Sequence, residues 1–106
     1  MENQNKFKKL GFNDWKVLIL FYKSADWRYI SYTINDVMNK TKLNEIQARY
    51  YLKKLEKLEL IKSYNSCKNF YTPVLDENLR ELIEENYFKA ISILGLVKFE
   101  EALEYE

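Results

Sequence analysis

Residues Leu43 to Ile61 read LNEIQARYYLKKLEKLELI. Leucines recur there at helical spacing, with two tyrosines, four lysines or arginines in the middle and three glutamates. Such a segment is an amphipathic helix over a core, one strand of a coiled coil, or a helix whose outer face reads a partner. A step of about 100° per residue from Ala48 brings Tyr51, Leu52 and Leu55 within about 60° of it, which makes one stripe that faces a core. Ile46, Tyr50, Lys53 and Lys57 fall on the opposite side, and Gln47, Arg49 and Lys54 flank them. Glu45 and Glu56 sit at the edge, so the outward face gathers cations, an amide and an aromatic ring. The leucines do not continue as heptads, which disfavours a coiled coil.

The surrounding chain has 106 residues, the size of one small domain or of one domain plus an extension. Apolar residues make up 47% and aromatics 16%, enough for a real core. Two glycines and one proline are few for long loops or an all-β architecture, so helices with short connections are expected. No apolar run approaches the roughly 18 residues of a spanning helix. The opening MENQNKFKKLGFNDW has no apolar core of signal-peptide type. These features predict a soluble, cytoplasmic protein with no membrane partner.

A single cysteine, Cys67, excludes an internal disulfide framework. Histidine is absent, which removes the usual general base and the commonest zinc ligand. There is no glycine-rich phosphate loop, no G-x-S-x-G and no H-E-x-x-H. No catalytic residue, metal ligand or cofactor is expected, and nothing in the sequence argues for an enzyme.

The overall net charge of +1 hides an asymmetry. Residues 1–73 carry 14 Lys+Arg against 7 Asp+Glu, a net of +7, and residues 74–106 carry 3 against 9, a net of −6. A basic part suits an anionic partner, while an acidic part faces solvent or another protein.

Along the chain, residues 1–11 read as a basic flexible tail with Lys6, Lys8 and Lys9. A first amphipathic helix is expected from an Asn13 cap to near Ser24, with Trp15, Leu18, Ile19 and Tyr22 on one face. A short strand follows around Tyr29–Tyr32. Thr33 with Asp36, and then Asn44 with Gln47, repeat the capping-box pattern and open two more helices, the first ending near Lys40 and the second near Leu58. LIKSY and NFYTPV bracket the polar NSCK and predict a hairpin. A last helix starts at Asp76 and runs to about Leu103, roughly 40 Å long. Its centre, AISILGLV (residues 90–97), is apolar on nearly every side, which predicts burial. Gly95 either permits close approach of two helices or breaks this one. The fold class is therefore mainly α with a small β-hairpin: helix, short strand, short helix, helix, hairpin and a long C-terminal helix.

The segment YTINDVMNKTKLNEIQARYYLKKLEKLELIKSYNSCKNFYTP resembles the helix-turn-helix and wing of winged-helix regulators of the MarR, ArsR and PadR kind. Thr33, Ile34 and Val37 match the opening of their second helix. Leu43, Ala48, Leu52, Leu55, Leu60 and Ile61 match the recognition helix and its exit. The resemblance covers about residues 12–73, and it implies a winged-helix DNA-binding domain over 12–75 with an acidic C-terminal helix over 76–106. It also implies that Asn44, Glu45, Ile46, Gln47, Arg49 and Tyr50 enter the major groove of double-stranded DNA. Lys42, Lys53 and Lys54 join them on the DNA-binding face. The wing, residues 62–70 with Asn65, Ser66, Lys68 and Asn69, would follow the backbone or minor groove. Glu59 departs from the family, which usually has glycine there to end the helix in a left-handed conformation.

Many such regulators dimerise, so that two recognition helices meet one face of DNA. In the last helix Leu79, Ile83, Tyr87, Ala90, Leu94 and Val97 form one stripe, widened by Leu82, Ile91 and Ile93. The stripe suits pairing with a second copy, which would leave Glu81, Glu84, Glu85, Glu100, Glu101 and Glu104 outside; the plainer alternative folds the helix back on its own domain. The expected function is sequence-specific binding of double-stranded DNA by a homodimer, as a transcription regulator. The alternatives are a low-specificity DNA-organising or plasmid-maintenance protein and a winged-helix protein-interaction adaptor. No effector pocket is visible in the sequence, and Cys67 reads as an incidental thiol rather than a redox sensor.

Overall fold

A computed structural model describes residues 6–63 and 70–94, and for 91–94 the backbone alone. The expectations at the hairpin tip (Asn65, Ser66, Cys67, Lys68 and Asn69) and at Gly95 and Val97 lie outside the described residues. The elements are α1 (Phe12–Leu20), a 3-10 turn (Trp27–Tyr29), β1 (Tyr32–Thr33), α2 (Ile34–Thr41), α3 (Glu45–Lys57), β2 (Ile61–Ser63), β3 (Phe70–Pro73) and α4 (Glu77–Leu94). The described residues are mainly helical, with one small antiparallel sheet in the order β1-β3-β2. The hairpin expected from LIKSY and NFYTPV is β2–β3, with Ile61 opposite Pro73 and Ser63 opposite Tyr71. The third strand pairs Tyr32 with Tyr71 on the other edge of β3. It lies later than the expected Tyr29–Tyr32. Trp27 is drawn into the core against Tyr22 (ring centroids 5.5 Å apart), and the Arg80 guanidinium covers it at 5.3 Å, so the chain turns there before it can extend.

Two capping boxes define α2 and α3 as the sequence predicts. Thr33 Oγ1 accepts the Asp36 N–H, and Asp36 Oδ2 accepts the Thr33 N–H. Asn44 Oδ1 accepts the Gln47 N–H at 2.8 Å, and Gln47 Oε1 accepts the Asn44 N–H at 3.2 Å. The turn between these helices is closed by the buried Thr41, whose hydroxyl donates to the Val37 carbonyl at 2.6 Å and accepts the Leu43 N–H at 3.3 Å. Lys42 in this turn has φ 64°.

The end of α3 is equally well defined. Glu59 N–H donates to the Glu56 carbonyl and Leu60 N–H to the Leu55 carbonyl, both at 2.9 Å. That pair of bonds is a Schellman motif, with the fully buried Leu55 and Leu60 in its apolar positions. Its left-handed residue is Glu59, at φ 61°, where glycine is favoured. Replacing Glu59→Gly is expected to raise stability by about 0.5–1 kcal/mol, the left-handed strain relieved less the entropy a glycine adds to the unfolded chain. The urea midpoint should rise at constant m-value; a fall would mean that Glu59 carries a compensating interaction.

Three expectations are corrected. The first concerns α1, which begins at Phe12 with Gly11 as its cap, because the Asp14 carboxylate accepts the Gly11 N–H at 2.9 Å and leaves Asn13 inside the helix. It ends at Leu20 rather than near Ser24, where Phe21 and Tyr22 tighten into i→i+3 bonds. Nor is it amphipathic: every residue from Asp14 to Tyr22 is buried, and α2, α3 and α4 all pack on it. The second concerns the flexible tail over residues 1–11, of which 1–5 lie outside the described residues. Phe7 and Leu10 are core residues, with the Phe7 ring stacked on Trp15 at 5.7 Å.

The third concerns the dimerisation stripe. Leu79, Ile83 and Tyr87 are buried within the chain, Ile83 at 0% exposure, and Tyr87 meets Trp15 at 6.3 Å. Ala90 packs half-buried against the same core. The helical spacing identified an apolar face correctly, but its first half is covered by α1, so these residues are core and not a partner surface. Of Ile91 and Leu94 only the backbone is described.

The Tyr22 hydroxyl joins these parts. It donates to the Leu60 carbonyl at 2.7 Å and accepts the Val74 N–H at 2.8 Å, pinning both ends of the hairpin to the end of α1. Tyr22→Phe would orphan both backbone groups and is expected to cost about 1–3 kcal/mol. Burial raises the hydroxyl's pKa far above its ordinary 10.0, outweighing the lowering by the Val74 bond. A group whose folded pKa is raised contributes stability that is complete below its unfolded pKa and is lost above it. Stability should therefore hold to about pH 10 and fall beyond it, less steeply in the phenylalanine variant. Tyr32 and Tyr71, also raised mainly by burial, account for a remaining slope. Equal alkaline slopes in the two proteins would contradict this account.

Candidate nucleic-acid interface

The placement of α3 follows from its own residues. Ala48, Leu52 and Leu55 are fully buried, and the helix packs on α1 and α2 through them. Three polar tethers fix its rotation and height. Lys54 Nζ donates to Asp14 Oδ2 at 2.8 Å and to the Lys9 carbonyl at 3.3 Å. Asn13 Nδ2 donates to the Tyr51 hydroxyl at 3.2 Å, and the Ser63 hydroxyl donates to the Glu56 carboxylate, tying α3 to β2. Asp14 is only 3% exposed, and among the described residues its Oδ1 has no hydrogen-bond partner and Lys54 is its one salt-bridge partner.

What remains outward is one line along the helix. Ile46 (81% exposed), Tyr50 (60% exposed), Lys53 and Lys57 lie at successive turns, as the helical wheel predicts. Arg49 stands beside them, exposed, with its Nε on Glu45 Oε2 at 2.9 Å. Such an exposed i,i+4 pair is weak, worth about 0.3–0.5 kcal/mol, so the guanidinium is available to a stronger anion. Gln47 and Asn44 are exposed as well, but each has its amide oxygen engaged in the cap. Lys42 projects from the turn before the helix, exposed. Among the described residues, Lys42, Lys53 and Lys57 enter no salt bridge.

Lys54 is a correction. Its position on the wheel lies between the two faces, and the structure turns it inward to Asp14, so it is a structural cation. Lys68 lies outside the described residues. Tyr50 makes an edge contact with Tyr51 at 5.0 Å while its ring stays exposed.

Sequence reasoning missed a concave surface elsewhere on the chain. A cleft of about 640 Å³ opens between the Trp27–Tyr29 turn and the hairpin, lined by Tyr29, Ile30, Lys62, Thr72 and Leu75 among others. It lies where the Trp27–Tyr29 turn packs beside β3, and no local pattern announces that packing. Arg28 on its rim is paired with Glu77. Among the described residues no cluster of three or more His, Cys, Asp or Glu could hold a metal ion, and no helix is long and apolar enough to cross a membrane.

No family model, curated protein or solved structure matches this chain. Exposed cations around an apolar and aromatic line, on a helix tethered through Tyr51, Lys54 and Glu56, suit a polyanion with readable edges.

Proposed function

We propose that the chain is a winged-helix DNA-binding protein acting as a homodimeric transcription regulator. Helix α3 lies in the major groove, and the β2–β3 hairpin lies along the backbone or minor groove. The observation that carries this reading is the outward line of α3, where Lys53, Lys57 and Arg49 surround Ile46 and Tyr50. It stands in a half-chain of net charge +7. The arrangement around it supports the reading. Three residues join α2 to α3, and Lys42 at positive φ stands in a turn that often holds glycine in helix-turn-helix proteins. Lys42, Lys53 and Lys57 are assigned to phosphates, and Ile46, Arg49 and Tyr50 to base edges, with Lys68 on the hairpin as a further backbone contact.

Leu79, Ile83 and Tyr87 serve the chain's own core, so pairing of two copies falls to the rest of α4. That leaves the exposed Phe88 and, outside the residues whose side chains are described, the apolar sequence from Ile91 through Leu94 to Val97. Such a pair would hold two α3 helices over half-sites about one helical turn apart.

Selection of bound sequences from a random duplex pool tests this. Enrichment of a motif with two half-sites about 10–10.5 base pairs apart is the expected result. Recovery of duplexes without a common motif would favour a DNA-organising role instead. Recovery of none would overturn DNA binding and leave a protein-interaction adaptor.

A further inference from the structure

Ile46 and Tyr50 are the exposed large apolar side chains of α3, one helical turn apart on its outermost line. The amides beside them are committed. A carboxamide reads adenine with its oxygen and nitrogen together, and Gln47 Oε1 already accepts the Asn44 N–H of the capping box. Reading by Gln47 would open the box that starts the helix. What α3 presents without rearrangement is an apolar ledge bordered by Arg49, Lys53 and Lys57. The ledge is braced from behind: the Tyr50 ring rests edge-on against Tyr51, whose hydroxyl accepts from Asn13 of α1.

The apolar feature that a base edge offers in the major groove is the 5-methyl group of a pyrimidine, carried by thymine and by methylated cytosine. We infer that Ile46, backed by Tyr50, is a specificity-determining contact for a pyrimidine 5-methyl group. The inference rests on the DNA reading above and names what that site reads. The bordering cations decide the occupant, because an apolar protein partner would leave them unmatched while phosphates flank every methyl in the groove.

The test uses two alternating duplexes, one of deoxyadenosine and thymidine and one with deoxyuridine in place of thymidine, which differ in the methyl group alone. The protein is expected to bind the thymine duplex about fourfold more tightly for each methyl engaged. Ile46→Ala should abolish the difference and leave the salt dependence unchanged. Ile46 is exposed, so the variant should fold, and an unchanged urea midpoint verifies this. A further arm compares alternating guanosine–cytidine duplexes with and without 5-methylcytosine. A gain on methylation supports the methyl contact on either base, and a thymine preference without that gain supports it for thymine. Equal affinity for the thymine and uracil duplexes, or a difference that survives Ile46→Ala, overturns the inference. Failure to bind any of the duplexes at low salt overturns the DNA reading itself.

Discussion

Reversing two charges, Lys53→Glu with Lys57→Glu, is expected to weaken duplex binding roughly a hundredfold or more at low salt. Both ammonium groups are exposed on the outward line of α3 and, among the described residues, neither enters a salt bridge. Each lost phosphate contact should also flatten the slope of log affinity against log salt by about one unit. Stability should change by no more than about 0.5 kcal/mol, since surface changes away from caps and core are nearly neutral. Lys54→Glu should behave in the opposite way. It sets a second carboxylate against the buried Asp14 and removes the bond to the Lys9 carbonyl, so its main effect is on the fold. If the double reversal left affinity and salt slope unchanged, DNA would not lie along this face. Anisotropy titrations at several salt concentrations, paired with urea melts, separate the two behaviours.

The second large effect is on stability. Ile83→Ala should cost about 2–5 kcal/mol, because the side chain is fully buried within the chain and its removal leaves a cavity. The loss should be the same at every protein concentration. A residue buried only by a second copy would instead give a loss that depends on concentration through the monomer–dimer equilibrium. A cost below about 1 kcal/mol, or one that varies with concentration, would return Ile83 to the dimerisation surface.

The parts of the fold that were legible are those written in local chemistry. Thr33 with Asp36, and Asn44 with Gln47, mark the starts of α2 and α3 because a cap needs only residues three apart. The wheel placed Ala48, Leu52 and Leu55 inside and Ile46, Tyr50, Lys53 and Lys57 outside for the same reason. Glu59 stood out in the sequence as the residue where glycine was expected, and it does adopt positive φ.

The parts that were not legible depend on what covers a face. Periodicity marked Leu79, Ile83 and Tyr87 as apolar but could not say whether α1 or a second copy would cover them. That Lys54, forty residues later, would lie over Asp14 is a property of the packing of α1 on α3. Phe7 and Leu10 were lost among the lysines of a polar segment, though two large apolar residues three apart beside a Trp-containing helix already hinted at docking. The strand β1 is two residues long and is held by tertiary pairing with β3, which no short pattern encodes.

The central claim, that the outward line of α3 lies on duplex DNA, is tested most directly by the salt dependence of duplex binding by the unmodified chain. The account predicts binding at low salt with log affinity falling linearly against log salt, at about −0.9 per phosphate contacted. No duplex binding at low salt would contradict it.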